Sequence, residues 1–488
     1  MANMKSLLRD TAIYGLSSIV GRFLNYLLVP LYTHCMPHES GDYGISTNIY
    51  AYVALVLVVL TFGMETTLFR FANRPEEKPD TVFSMAFGVV GLLTFLFLGL
   101  LFGFQGSISA ALGYAGHPDY LLMMGVVVAL DALQALPFSW LRYQKRPMKF
   151  ATLKLLFIVL NIGLNCFYFL YLGMTSVYYV FLINLVCTGL ITLFFVPDLL
   201  RIRWSTDFGL LRRMLQYSWP LLVLGIAGIL NQTADKILFP LVYPDRTEAE
   251  VQLGIYGACV KIAMIMAMIT QAFRYAYEPI VFAKTQDADK QEYYAAAMKY
   301  FIFFTLLAFL SVVGWMPLLQ HIIGAGYREG LRVVPIVMAS EIMMGVYFNL
   351  SFWYKLIDKT IYGAWFSLAG CAVLLAVNLW GIPRYGYMAC AWGGFAGYGT
   401  AMLLSYVVGQ RKYPIAYPMR SIIGYVALTL LFYILMTLVP DTWGTLARLA
   451  ANTLLILLFV AHIIAHDLPV KSLPHVGKFV SKKQRGKS

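Results

Sequence analysis

The sequence predicts an all-α integral membrane protein: about fourteen transmembrane helices in two pseudo-symmetric six-helix lobes, followed by two additional helices. Three observations predict it. The composition is 60% hydrophobic and 12% charged, with a mean hydropathy of +0.70 over 488 residues, outside the range of soluble globular chains. Apolar windows of about 20 residues, long enough to cross a hydrocarbon core about 30 Å thick, recur along the whole chain. Short similarities also return at an offset of about 210 residues.

Span one covers 10–33 and carries Arg22 and Asn25 ahead of Pro30. Its apolar run is too long for a cleavable signal, so it is expected to remain as a helix. Span two, 44–69, begins at the Gly of Tyr43-Gly44 and holds Glu65 near its far end. Spans 81–104, 119–141, 151–173 and 177–197 complete a first lobe at 1–197, with Asp131 on the fourth span. The stretch "RIRWSTDFGLLRRMLQYSWP" then sets Leu210, Leu211, Met214 and Leu215 in an apolar stripe beside Arg212 and Arg213. That pattern reads as an interfacial amphipathic linker helix at 198–216. Spans 217–242, 253–282, 296–322, 331–354, 361–382 and 386–409 form a second lobe at 217–409. Spans 419–439 and 445–466 are the addition at 410–466, and 467–488 is a basic tail.

Loops between the spans are short, which leaves no room for a soluble domain. Most of the 37 Lys and Arg fall at the N-terminus, in every second linker and in the tail. The opposite linkers hold only Arg246, Arg328, Arg332, Arg384 and Arg448. The positive-inside rule therefore predicts that both termini are cytoplasmic. The net charge of +13 is topological, and nucleic acid is not an expected partner, although the tail "GKFVSKKQRGKS" suits anionic membrane lipid. Cys35, Cys166, Cys187, Cys259, Cys371 and Cys390 lack disulfide or metal-ligand spacing and read as small packing residues. No metal site and no catalytic Ser/His/Asp, HExxH or P-loop arrangement stands out, so an enzyme is not expected.

The offset of about 210 residues lays "NYLLVPLY" on "DKILFPLV", Asp131 on Glu341 and Phe138 on Phe348. A slightly longer shift matches Tyr43-Gly44 with Tyr256-Gly257, Glu65 with Glu278 and Asn165 with Asn378. By the same logic Arg22 corresponds to Gln232 and Asn25 to Asp235. Six helices per half is an even number, so the halves enter from the same side, related by an axis along the membrane normal.

The segments "TAIYGLSSIVGRFLNYLLVPLYTHCMPHESGDYG", "LLRRMLQYSWPLLVLGIAGILNQTADKILFPLV" and "LGIYGACVKIAMIMAMITQAFRYAYEPIVFAK" resemble the bacterial polysaccharide-biosynthesis flippases of O-antigen type. These belong to the multidrug/oligosaccharidyl-lipid/polysaccharide exporter superfamily. The resemblance covers spans one to twelve and implies an alternating-access flippase in the bacterial plasma membrane. Its cargo would be an undecaprenyl-pyrophosphate-linked oligosaccharide destined for surface polysaccharide such as O-antigen, capsule or exopolysaccharide. It further implies a central cavity whose basic residues face the pyrophosphate. By analogy with the similar lipid II flippase, the last two helices would make a groove for the polyprenyl tail. A polysaccharide polymerase is a further partner such a protein would meet. A cation-coupled multidrug antiporter of the same superfamily is the alternative, and it would favour carboxylates over a midplane arginine.

The residues point the same way. Arg22 lies some 18 Å along its helix, where a charge costs about 2.5–3.5 kcal/mol unless it faces a wet cavity or a partner. Its guanidinium would fork onto pyrophosphate, or pair with a carboxylate such as Asp131 or Glu341. Asn25, Gln232, Lys236, Lys261 and Arg274 are the other candidate headgroup contacts. Lys236 points roughly 100° away from Asp235 and is expected to serve another face, and Lys261, about 10 Å from its span's end, has the option of snorkelling. Asp131, Asp235 and Glu341 are candidates for charge pairing or for coupling to Na⁺ or H⁺, the only small cofactor expected. Glu65, Arg70 and Glu278 are candidates for a cytoplasmic gate, with an i,i+4 pair between Arg274 and Glu278 as the plainer account of those two.

Overall fold

The computed structural model describes residues 28–467 together with Tyr26, apart from 201, 203, 206, 284–289 and 358. The described residues are helical throughout their ordered elements and contain no strand. In lipid every backbone N–H and C=O must be satisfied within its own segment, and helices do this without a partner chain. The main helices are α1 (Leu28–Cys35), α2 (Asp42–Thr61), α3 (Met64–Ala72), α4 (Pro79–Gly103), α5 (Pro118–Tyr143), α6 (Pro147–Cys166) and α7 (Val177–Leu193). They continue as α8 (Phe208–Val242), α9 (Arg246–Ala283), α10 (Lys290–Gly314), α11 (Val334–Leu350), α12 (Ile361–Tyr385), α13 (Tyr387–Lys412), α14 (Met419–Thr437) and α15 (Gly444–His466). Proline opens α4, α5 and α6, where its missing N–H is not needed, and Asp207 caps α8 by accepting from the Leu210 N–H at 2.9 Å.

Among the described residues, 11 helices are long and apolar enough to cross a membrane, and α7 is a shorter apolar helix. Every expected span from the second onward coincides with a helix, while most of the first lies outside the described residues. The molecule is a multi-pass membrane protein. Three boundaries differ from the sequence expectation. Span two is broken at Phe62 and Gly63, both with positive φ (50° and 65°), which separates α2 from α3. A Cβ on Gly63 would stand 2.9 Å from Leu221 Cβ, so the break also lets α8 approach. Residues 208–216 of the linker segment are the opening turns of the 35-residue α8. Helix α9 begins at Arg246, ahead of its apolar stretch, because Arg246 and Glu250 pair one turn apart at 3.0 Å and carry the helix into polar surroundings.

The chain divides into two compact units. The first comprises 1–261, 322–333 and 364–400, and the second 262–321, 334–363 and 401–488. In the first, Leu60, Met64, Leu68, Val82, Val128, Leu136 and Met214 are buried together where α2, α3, α4, α5 and α8 meet. The N-terminal turns of α2 and α9 lie in near-backbone contact: a Cβ on Gly44 would fall 1.8 Å from the Glu250 carbonyl oxygen. Gly44→Ala should therefore lower stability by about 1–3 kcal/mol, because the obstacle is backbone and cannot rotate away. Thermal denaturation in detergent checks this, with Gly91→Ala, which meets nothing within 4 Å, expected to melt like the parent.

In the second unit, α10 packs against α11, α14 and α15. Asn452 donates to the Gly314 carbonyl at 2.8 Å. Just past the end of α15, Asp467 accepts hydrogen bonds from Lys299 and from the Tyr425 hydroxyl, which ties α15 to α10 and α14. Partial burial disfavours the Asp467 carboxylate, but the bonds from Lys299 and Tyr425 outweigh it and hold the carboxyl below its ordinary value. A depressed carboxyl contributes stability above its unfolded value, about 3.9, and loses it as pH falls through the lower folded value. The stability difference between the parent and Asp467→Asn should thus be constant from neutral pH down to about 5 and shrink below about 4, read as melting temperature against pH.

Candidate functional site

The turn between α8 and α9 brings two consecutive antiparallel helices together, so residues a few turns before and after it face one another. Asp235 lies seven residues before the end of α8, roughly 10 Å from it, and is buried. The Lys236 ammonium donates to both of its carboxylate oxygens, at 3.0 and 3.1 Å, and the Tyr256 hydroxyl donates to Oδ2 at 2.8 Å. Lys236 does not serve another face as its position on the helix suggests: its four-carbon stem curls back to the preceding residue, and its Nζ also donates to the Gln232 carbonyl at 3.0 Å. The backbone here is held from α2, where Asn48 donates to the Lys236 carbonyl at 2.7 Å and accepts from the Tyr114 hydroxyl at 2.7 Å.

Lys261 stands on α9 with its ammonium 6.0 Å from the centre of the Tyr26 ring, within electrostatic range of Lys236. Among the described residues no acceptor bonds to it. Lys261 is fifteen residues from the start of α9, roughly 22 Å along the helix, of which the first turns are the polar stretch that carries Arg246 and Glu250. The group as a whole carries two ammonium ions against one carboxylate. Such an excess of positive charge among apolar helices suits an anion.

A second cluster in the same unit joins α3, α5 and α6. Glu65 accepts from Ser139 at 3.0 Å and from Arg142 at 3.4 Å, and Arg142 also donates to Ser139 at 2.9 Å. Glu65 therefore pairs with Arg142 and not with Arg70, whose guanidinium lies 4.0 Å over the Tyr217 ring. Asp131, half-buried on α5, has Lys154 of α6 as its charged neighbour. In the second unit, Arg274 rests 5.0 Å over the Phe348 ring, and Glu341 is half-buried on α11. Phe138 and Phe348, matched by the internal offset, each lie beneath a cation from another helix, Lys154 at 4.0 Å and Arg274 at 5.0 Å.

Of the expected site residues, the structure brings together Asp235, Lys236 and Lys261, with Gln232 contributing its carbonyl while its side chain is exposed. Arg22 and Asn25 lie outside the described residues, as does the side chain of Glu278. Tyr256, Asn48, Ser139, Arg142 and Lys154 are polar partners that sequence reasoning did not place. Lys154 had a usable signal, a charge inside an apolar span. No group of three or more His, Cys, Asp or Glu among the described residues is placed to hold a metal. All six cysteines are free thiols, and Cys187, Cys259, Cys371 and Cys390 are buried.

Residues 39–329 match the family model described as "Polysaccharide biosynthesis protein". No curated protein sequence matches the chain. Among solved structures, the chain is similar to one titled "Lipid II flippase MurJ, inward closed conformation", with a TM-score of 0.69 at 14% identity over 93% of this chain and 98% of that one. It is also similar to an inward-facing multidrug resistance MATE family transporter of the MOP superfamily, with a TM-score of 0.62 at 13% identity over 82% and 97%. A further MATE multidrug transporter, DinF-BH, gives a TM-score of 0.55 at 16% identity over 85% and 97%. At these identities the likeness is one of fold, and the three structures are titled as a flippase and two transporters.

Proposed function

The chain belongs to the polysaccharide biosynthesis protein family, and from that premise we propose that it is an alternating-access flippase for polyprenyl-pyrophosphate-linked oligosaccharides, of the undecaprenyl type, in the bacterial plasma membrane. The observation that carries this reading is Lys261: an ammonium on a membrane helix, within electrostatic range of a second lysine, with no acceptor among the described residues. A half-buried charge among membrane helices is costly unless something answers it, and a pyrophosphate supplies two adjacent anionic groups. Arg22, Asn25, Gln232 and Arg274 remain proposed headgroup contacts. Asp235 is the proposed coupling group, where Na⁺ or H⁺ would compete with Lys236 for the carboxylate. The apolar residues left exposed on α14 and α15, among them Leu430, Leu431, Leu454 and Leu457, suit the polyprenyl tail. Both termini are assigned to the cytoplasm, and the flipped unit would feed a polymerase outside.

The multidrug transporters of the same fold favour a second reading, a cation-coupled drug antiporter. Equilibrium binding to the purified protein in nanodiscs separates the two. The flippase reading expects a polyprenyl-pyrophosphate disaccharide to bind about tenfold or more tighter than its monophosphate analogue, since one further charge-assisted contact is worth about 1.5–3 kcal/mol. Equal affinity for the two phosphates together with tight binding of organic cations would favour the antiporter.

A further inference from the structure

Tyr50 of α2, Asn184 of α7 and Asp131 of α5 are polar side chains that the proposed pyrophosphate contacts do not include. The three helices pack on one another in the first unit. Asn184 donates from Nδ2 to the Tyr50 hydroxyl at 2.7 Å and accepts from Thr188, one turn on, at 3.2 Å, which fixes its amide with the nitrogen toward the tyrosine. Gln134 donates to the Thr188 carbonyl at 3.0 Å and to the Thr192 hydroxyl at 2.7 Å, and so sets the register of α5 against α7. These two helices run in the same direction, because the single reversed helix α6 lies between them in the chain. One turn nearer their starts, Asp131 is therefore level with Asn184. Asp131 also lies within electrostatic range of Tyr50.

Gln134, Thr188 and Thr192 bond to one another, as polar residues between membrane helices commonly do. The group one turn away is not satisfied in this manner. Among the described residues, the Tyr50 hydroxyl proton has no acceptor, one Asn184 N–H has none, and neither Asp131 oxygen accepts a hydrogen bond. The charged neighbour of Asp131, Lys154, rests over the Phe138 ring at 4.0 Å instead of bonding to it. Tyr50 is 36% exposed and the other two are half-buried, so these free donors and acceptors are reachable. Asp131 stands at the middle of the 26-residue α5, and a carboxylate there faces a bundle interior or a wet space rather than hydrocarbon. A hydroxyl both donates and accepts, and a pyranose presents several on neighbouring carbons beside apolar C–H faces. The carboxylate accepts from such hydroxyls, the amide and phenol donate to them, and the Tyr50 ring, set against Phe181 at 6.3 Å, offers an apolar surface with a polar tip. Resting on the flippase reading above, we infer that Tyr50, Asn184 and Asp131 form a site for a pyranose of the lipid-linked glycan, hydrogen-bonding its hydroxyls. The two ends of the substrate are thus recognised by different chemistry, phosphate by ammonium and sugar by carboxylate, amide and phenol.

Full-length protein in phosphatidylcholine nanodiscs is titrated with two ligands, a polyprenyl-pyrophosphate disaccharide and geranylgeranyl pyrophosphate, which carries no sugar. Asp131→Asn and Asn184→Leu should each weaken binding of the disaccharide ligand about tenfold and leave binding of geranylgeranyl pyrophosphate unchanged. Tyr50→Phe, which removes one hydroxyl and keeps the ring, should weaken the disaccharide ligand several-fold with the same selectivity, and is read alone should the other variants not assemble. If all three bind the disaccharide ligand like the parent while Lys261→Met weakens both ligands, the sugar site is wrong and the flippase reading stands. Equal weakening of both ligands would mean that the three residues do not act on the sugar, and would overturn the inference. If the parent binds neither ligand, both readings fall. An Asp131→Asn protein that keeps its affinity for the disaccharide ligand but loses binding of Na⁺ alone would make the cluster an ion site, which also overturns the inference.

Discussion

Lys261→Met should lower transport of a polyprenyl-pyrophosphate glycan by roughly 10- to 100-fold at subsaturating substrate, whereas Lys261→Arg should retain most of it. The methionine keeps the length and the apolar stem, so packing over Tyr26 is preserved and the change isolates the charge. In the parent the ammonium has no acceptor among the described residues and lies near Lys236, whose own charge is answered by Asp235. Removing it should cost the ligand a charge-assisted contact without leaving a protein group stranded. The loss should therefore appear in transport and binding while the melting temperature stays near that of the parent. A large fall in melting temperature with unchanged transport per folded molecule would show that Lys261 is structural.

Asp235→Ala should have the opposite signature. The carboxylate accepts three hydrogen bonds, two from Lys236 and one from Tyr256, in a buried setting. Deleting it leaves the ammonium of Lys236 uncompensated and the Tyr256 hydroxyl without its acceptor. Breaking a buried pair from one side costs about 3–5 kcal/mol, so the single variant should melt well below the parent. Asp235→Ala combined with Lys236→Met removes both charges and should recover much of that loss. The cycle is read by thermal denaturation in one detergent. Losses that simply add would mean the pair is not coupled as its geometry requires.

The contrast between these residues shows what a sequence of this kind reveals. Helix positions are legible because lipid enforces one rule, about 20 apolar residues per crossing, and 11 of the described helices follow it. The break at Phe62 and Gly63 is not legible, since a glycine inside an apolar run ordinarily sits in an unbroken helix and Phe62 gives no hint of a positive φ. The early start of α9 is also hidden, because it depends on polar pairing between Arg246 and Glu250 rather than on hydropathy. Charged residues inside spans can be found by inspection, but their partners cannot. Lys236 turns to its immediate neighbour through side-chain flexibility, and Glu65 selects Arg142 over Arg70 through the meeting of α3 with α5. Tyr256 reaches Asp235 only because the turn between α8 and α9 folds the two helices back on one another.

Movement of a pyrophosphate-anchored glycan across a bilayer is measured by reconstituting the full-length protein in proteoliposomes with a fluorescent polyprenyl-pyrophosphate oligosaccharide and following the lipid's accessibility to an impermeant quencher. The measurement is made with and without Na⁺ and H⁺ gradients. The expected result is translocation that depends on the protein, responds to one of the gradients and is largely lost in Lys261→Met. Absence of glycan movement under every gradient, alongside gradient-driven efflux of organic cations from the same vesicles, would contradict it.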